Sequence, residues 1–262
     1  MGVKTNISLK EVNLLFPSYD FTDLTATKSG IIDTTYIIRT KKKEYILKKY
    51  EREIDAKIKE DIEILKSLKS VSLNVPLCLD AKAGWYLYEK LKGIDKKVRE
   101  TYHIQELARF LASLHTLKLK TKSTFIENYP LDEMLNYTKQ NFFYYYKKLE
   151  LLKNYKPKSD GFIHGDIFID NTLFHKQKIG VFDFIDGGMG SFSFDCGVAL
   201  VGFRATNNYF VTLFLKTYNQ KRRKKLTRDE LIKAIEIASH FYALNRIYKY
   251  KHILKVKELL CF

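Results

Sequence analysis

The sequence predicts an α+β fold whose strands gather in the N-terminal third and whose helices fill most of the rest. Residues 31–50 alternate apolar and polar side chains in two runs, IIDTTYIIRT and KEYILKKY, joined by a basic turn at 41–43. That is a β-hairpin signal. From residue 101 onward apolar residues instead recur at helical spacing, as in Leu107, Leu111 and Leu114. One stretch breaks the helical part: residues 162–195, FIHGDIFIDNTLFHKQKIGVFDFIDGGMGSFSFD, place two apolar segments, 162–163 and 179–184, around a polar loop. Apolar runs bounded by turn residues read as short buried strands, so the loop's polar residues are expected to project from a small hairpin-like platform.

In order along the chain, residues 8–18 predict a short helix capped by Ser8 and stopped by Pro17. Before the hairpin, Ser29 and Gly30 suit a turn whose backbone N–H groups face phosphates. Lys48 and Lys49 follow Ile46 and Leu47 in the second strand. Alternation sends them to opposite faces, so only one of the two enters a cleft. Residues 52–70 predict a helix with Ile54, Ile58, Ile62, Leu65 and Leu68 as its buried stripe. At 100° per residue Asp61 falls on the middle of that stripe, while Glu60 and Glu63 lie off it. Residues 73–79 predict a loop leading to a strand. WYLYEKLKG (85–93) predicts a strand ending in a glycine turn. Helices are expected over 101–118 and over 131–152, where FFYYY (142–146) reads as core or cleft wall, and again over 206–262. Thr227, Asp229 and Glu230 form an N-cap region in that last part.

The chemistry is concentrated in 162–195. His164, Gly165 and Asp166 are followed by Asn171, and Asp183 stands twelve positions further on between apolar residues. This order fits phosphoryl transfer, in which one Asp accepts the substrate hydroxyl proton while an Asn and a later Asp hold Mg²⁺. A phosphoryl group in flight carries charge on its oxygens, so catalysis is positioning plus electrostatic stabilisation. Mg²⁺ takes oxygen ligands and usually draws only one or two from protein. On this reading Asn171 and Asp183 are the metal ligands and Asp166 is the catalytic base. Lys48 in its strand suits the α/β-phosphates of ATP, and a carboxylate such as Asp61 on the helix behind that strand is where a kinase keeps the lysine's partner. Asp170 and Asp186 either hold a substrate ammonium group or are simply solvated.

The loop resembles that of the kinase-like small-molecule phosphotransferases, the group of aminoglycoside phosphotransferases, choline kinases and the second type of homoserine kinase. Gly165 after the histidine, where protein kinases usually carry Arg, points to this branch. HGDIFIDNTLF is most similar to the homoserine kinase form, HGDLFxDNxxF, through Phe168 and Asp170. The resemblance implies a bilobal, protein-kinase-like fold, with an antiparallel-sheet N-lobe over 1–88 and a mostly helical C-lobe over 89–262. It also implies ATP and Mg²⁺ as cofactors. It selects Lys48 over Lys49, and it places the interlobe hinge at 85–93, with adenine bonding backbone near Glu89 and Leu91. SGIIDTTY loosely resembles the family's phosphate loop at Ser29 and Gly30. His115 matches the LAxLH pattern, where it packs. His164 and Asp195, the latter like the family's DLA aspartate, brace the loop. The C-terminal segment resembles a homoserine kinase tail, in which Arg246 either grips a substrate carboxylate or forms a structural ion pair.

The implied substrate is a small molecule, an amino acid or amino alcohol: L-homoserine first, with an aminoglycoside, choline or another amino alcohol as alternatives. A non-catalytic nucleotide-binding protein is disfavoured by the intact Asp166, Asn171 and Asp183. The net charge of +16, from 46 Lys and Arg against 30 Asp and Glu, raises nucleic acid or anionic membrane as partners. The basic residues are dispersed, however, and only 221–225 is a dense cluster, so neither partner is expected. No apolar run is long enough to span a bilayer, and no signal peptide is expected. Three scattered cysteines fit a reducing, cytoplasmic compartment, with Cys196 as buried packing. Composition leaves the oligomeric state open.

Overall fold

The computed structural model describes residues 3–27, 32–94, 100–119, 121–253 and 256–260. The expected phosphate turn at Ser29 and Gly30 lies outside the described residues. The chain divides into two compact units, Met1–Lys92 and Gly93–Phe262.

The first unit opens on α1 (Leu9–Leu15). The Ser8 cap that the sequence predicts is completed as a capping box: Glu11 N donates to Ser8 Oγ, and Ser8 N donates back to the Glu11 carboxylate at 2.7 Å. Strands β1 (Phe21–Ala26), β2 (Thr34–Thr40) and β3 (Glu44–Lys49) follow, then helix α2 (Asp55–Ser70) and strands β4 (Cys78–Lys82) and β5 (Trp85–Glu89). The strands form one antiparallel sheet in the order β1-β2-β3-β5-β4. The expected hairpin is β2–β3, closed by Thr40, whose Oγ1 accepts from Lys43 N at 3.1 Å. β1 is an addition: FTDLTA does not alternate apolar and polar side chains regularly, and its pairing with β2 across Leu24 and Ile38 defines it. One face of the sheet is apolar. Tyr36, Ile38, Leu47, Trp85 and Leu87 pack there with Phe21, with Val12 of α1 and with its C-cap residue Phe16.

Helix α2 differs from expectation in phase. Its buried side chains are Ile58, Asp61, Ile64, Leu65 and Leu68. Ile54 is the N-cap residue and Ile62 is only half-buried, so the stripe turns toward Ile64. Asp61 stays at its centre, 5% exposed.

The second unit holds helices α3 (Thr101–Leu114), α4 (Leu131–Asn141) and α5 (Phe143–Leu149). Short strands β6 (Gly161–Ile163), β7 (Thr172–His175), β8 (Lys178–Val181) and β9 (Gly188–Gly190) follow. Helices α6 (Phe192–Gly202), α7 (Asn208–Gln220), α8 (Arg228–Tyr250) and α9 (Lys257–Leu260) complete it. Helix α6 is buried along most of its length and packs on α8. They approach at Gly197, where a Cβ would stand 2.5 Å from the Ala234 carbonyl oxygen. The single helix expected over 131–152 is instead two. Phe142 leaves helical geometry (φ −142°, ψ 57°), ends α4 and caps α5. The FFYYY run is correspondingly not core: Phe143 is 57% and Tyr144 66% exposed, and only Tyr145 turns inward.

Candidate active site

The platform under the polar loop is two ribbons rather than one hairpin. β6 pairs antiparallel with β9, and β7 with β8, so the two apolar segments flanking the loop have different partners. The β7–β8 hairpin sets Asn171 at one strand end and Asp183 just past the other, and Phe182 N donates to Asn171 O at 3.2 Å. Asp183 has φ 67°, the left-handed region that non-glycine residues seldom occupy. Such strain persists where the surrounding structure holds it and is concentrated at functional positions.

Buried hydrogen bonds brace the loop. Asp195 is fully buried and accepts from His164 N at 3.1 Å, Gly165 N at 2.7 Å and His115 Nε2 at 3.0 Å. Tyr218 Oη lies 2.8 Å from the other nitrogen of His115. His115 is therefore more than packing: both ring nitrogens are engaged, one on the carboxylate that carries the loop backbone. Burial lowers its pKa, and His164 is lowered for the same reason. In neutral His164, Nδ1 accepts from Asp166 N at 3.1 Å, which leaves Nε2–H to donate to Phe182 O at 3.1 Å. Gly165 has φ 75°, and a Cβ there would meet the Phe125 ring at 2.0 Å, so this position requires glycine.

Asp166 is half-buried at the open end of this framework. Asn171 Nδ2 donates to its carbonyl at 2.8 Å and to its carboxylate at 3.0 Å. Desolvation pushes the Asp166 carboxyl up to about 7, and the charges of Asp183, Asp170 and Asp186 add to the rise, against a hydrogen bond from Tyr242. The loop thus gathers four carboxylates whose mutual repulsion a divalent cation would relieve. Among the described residues no group of three or more His, Cys, Asp and Glu side chains is arranged to hold a metal. A pair of oxygen donors such as Asn171 and Asp183 still fits Mg²⁺, which completes its shell with phosphate and water.

Asp170 is exposed and Asp186 half-buried, with the Asp186 carbonyl accepting from Asn128 Nδ2 at 2.8 Å. Arg246 is half-buried, with its guanidinium 5.9 Å from the centre of the Phe168 ring. Among the described residues it has no ion pair.

In the first unit Lys48 and Lys49 point to opposite faces. Lys49 lies over Trp85 on the α1 side, and Lys48 lies over Tyr50, 4.6 Å from its ring centre. Tyr50 Oη is 3.0 Å from Tyr88 Oη, and after burial and the Tyr50 charge, the charge of Asp61 helps raise Tyr88. Lys48 and Asp61 therefore share the sheet face opposite α1. Asp33 was missed in the sequence. Its carboxylate lies 3.6 Å from Lys48 Nζ and 3.6 Å from Arg52, and its other oxygen accepts from Glu51 N at 3.2 Å. The signal was available: Asp33 and Thr35 alternate onto one face, and Thr35 is the register partner of Lys48. Glu89 N donates to Leu77 O, and the Glu89 carboxylate accepts from Lys69 Nζ at 2.7 Å, while Leu91 is buried.

The dense basic cluster is largely engaged with its own chain. Lys221 reaches Ser113, Lys225 the Asn219 carbonyl, and Arg222 the His115 carbonyl while lying over Phe192. Burial pushes the thiol of Cys196 well up and that of Cys78 up to about 11, so neither is poised as a thiolate nucleophile. Among the described residues no helix is long and apolar enough to cross a membrane.

Residues 23–229 match the phosphotransferase enzyme family (APH), and the chain belongs to that family. It is a kinase-like phosphotransferase acting on small molecules. The chain is 26% identical to a homoserine kinase of Rhizobium meliloti (strain 1021), over 94% of this chain and 84% of the relative. Among solved structures it is similar to an ADP-bound aminoglycoside phosphotransferase, with TM-score 0.67, 18% identity and 97% of each chain covered. It is also similar to a choline kinase from Streptococcus pneumoniae, with TM-score 0.68, 15% identity and 92% and 90% covered.

Proposed function

We propose that the protein transfers the γ-phosphoryl group of ATP to the side-chain hydroxyl of L-homoserine, giving O-phosphohomoserine, the phosphorylated alcohol of threonine biosynthesis. The observation that carries the phosphotransfer reading is the loop in which Asn171 Nδ2 donates to both the carbonyl and the carboxylate of Asp166, while the β7–β8 hairpin sets Asn171 and Asp183 at its two strand ends. The homoserine reading is supported by the similarity to homoserine kinases and by Arg246, a half-buried cation with no ion pair among the described residues.

In this reading Asp166 takes the proton of the substrate hydroxyl as its oxygen forms the new bond to phosphorus and the bond to ADP breaks. A carboxyl raised to about 7 accepts that proton readily near neutral pH. Asn171 and Asp183 would hold Mg²⁺, which would neutralise charge on the phosphates. Lys48, steadied by Asp33 and with Asp61 on the same face, holds phosphate oxygens alongside the backbone at Ser29 and Gly30. Because Glu89 N–H is bonded to Leu77, adenine recognition there falls to the Glu89 carbonyl and the backbone of Leu91. Arg246 receives the substrate carboxylate bidentately, and Asp170 or Asp186 receives its ammonium group.

The test is an ADP-release assay of the purified protein with ATP and Mg²⁺ over homoserine, choline, an aminoglycoside panel and methylthioribose. Turnover with homoserine well above the others is expected. Turnover only with another acceptor overturns the substrate assignment, and no turnover together with no ATP–Mg²⁺ binding overturns the catalytic one.

A further inference from the structure

The loop around Asp166 is held from Asp195 on one side. On the other it meets a residue far along the chain, Tyr242 of α8. The Tyr242 side chain is buried, and its ring stands edge-on to Phe168 with centroids 4.8 Å apart. Its hydroxyl donates to the carbonyl of Gly165, and it lies within hydrogen-bond reach of the Asp166 carboxylate and the Tyr129 hydroxyl. Gly165 N–H is meanwhile bonded to Asp195. Both ends of the Gly165 backbone are thus fixed, by helices α6 and α8 respectively.

A buried ring alone would be served as well by Phe, whereas a buried phenol hydroxyl needs a polar partner. Here it donates to the peptide that carries Asp166. The orientation of that peptide decides where the carboxylate points, because Asp166 N is in turn tied to His164. One helical turn beyond Tyr242, Arg246 lies over the same Phe168 ring.

We propose that Tyr242 is a positioning residue for phosphoryl transfer: its hydroxyl locks the Gly165–Asp166 peptide and so aims the Asp166 carboxylate at the acceptor hydroxyl. This rests on the reading of Asp166 as the base. Small misplacement of a reacting group is costly, on the order of 10²-fold in rate for about 1 Å. Losing the hydroxyl should therefore act on the chemical step more than on substrate binding.

The experiment compares Tyr242→Phe with wild type in the full chain. The ring is retained, so melting should fall by only about 2–4 °C for one lost hydrogen bond. kcat should fall by about 10- to 100-fold, with KM for ATP and for the acceptor changing by less than about threefold. Hydrogen–deuterium exchange of the peptide spanning 164–168 should quicken while that of β7 and β8 does not. Unchanged kcat overturns the proposal, whether or not exchange quickens. So does a fall in kcat matched by an equal rise in acceptor KM, or exchange at 164–168 that stays at the wild-type rate. Wild-type turnover over the acceptor panel tests the functional reading separately. If wild type is silent on every acceptor and binds no ATP–Mg²⁺, that reading fails and the role of Tyr242 in transfer fails with it, while the exchange comparison still decides whether its hydroxyl holds the 164–168 peptide.

Discussion

Asp195 and Asp166 belong to one hydrogen-bonded unit, yet the structure treats them differently. Asp195 is fully buried and accepts from two backbone N–H groups and from His115. Asp166 is half-buried, meets Asn171 and Tyr242, and has three further carboxylates close enough to raise its pKa. The first is a charge fully matched by donors, and such a group fixes geometry. The second is a charge left poorly matched, and such a group is ready to take a proton. The loop's rigid end and its reactive end are thus built from the same residue type by changing only what surrounds it.

If that contrast is right, the two aspartates should fail differently. Asp166→Asn should lower transfer by about 10²- to 10⁴-fold. It should keep ATP binding and melt no lower than wild type, since it removes a charge its neighbours oppose. Unchanged turnover would remove Asp166 as base. Asp195→Ala should cost about 3 kcal/mol or more in denaturant unfolding, because two buried N–H groups lose their acceptor. A variant as stable as wild type would mean that Asp195 does not hold the loop. Arg246→Ala sharpens the contrast at the substrate end: kcat/KM for homoserine should fall by about 10- to 100-fold with ATP affinity unchanged. An equal loss for every acceptor would make Arg246 structural.

The pH dependence follows from the buried histidines. His115 and His164 are held below the ordinary 6.5 by burial, so the unfolded chain takes up protons first as pH falls through that value. Their contribution to stability is full above 6.5 and declines below it. Asp166, raised to about 7, works in the opposite direction as pH falls below 7. His115→Gln should therefore lose less stability than wild type between pH 7 and pH 5 in urea titrations, and parallel losses would contradict the assignment. The smallest effect is expected at Phe143 and Tyr144, which stand in solvent: changing both to Ser should alter stability by less than about 0.5 kcal/mol.

Much of this was legible in the sequence because it is local. His164, Asp166, Asn171 and Asp183 lie within one short stretch, and the hairpin and the Ser8 cap depend on neighbours in the chain. The opposite facing of Lys48 and Lys49 followed from strand alternation, and the burial of Asp61 from helical phase. What was hidden depends on distant partners. β1 exists through its pairing with β2 rather than through its own pattern. The break at Phe142 separates two helices that share one continuous run of helix-compatible residues. His115 read as packing because its two polar partners, Asp195 and Tyr218, lie 80 and 103 residues away. Tyr242, 77 residues from Gly165, carried no local signal at all.

Transfer to the homoserine hydroxyl can be followed by ³¹P NMR of the purified protein with ATP, Mg²⁺ and L-homoserine. A new phosphate-monoester resonance should grow in step with ADP and be absent with Asp166→Asn. ATP left intact in the presence of homoserine, or ADP formed with only inorganic phosphate beside it, would contradict transfer to that hydroxyl.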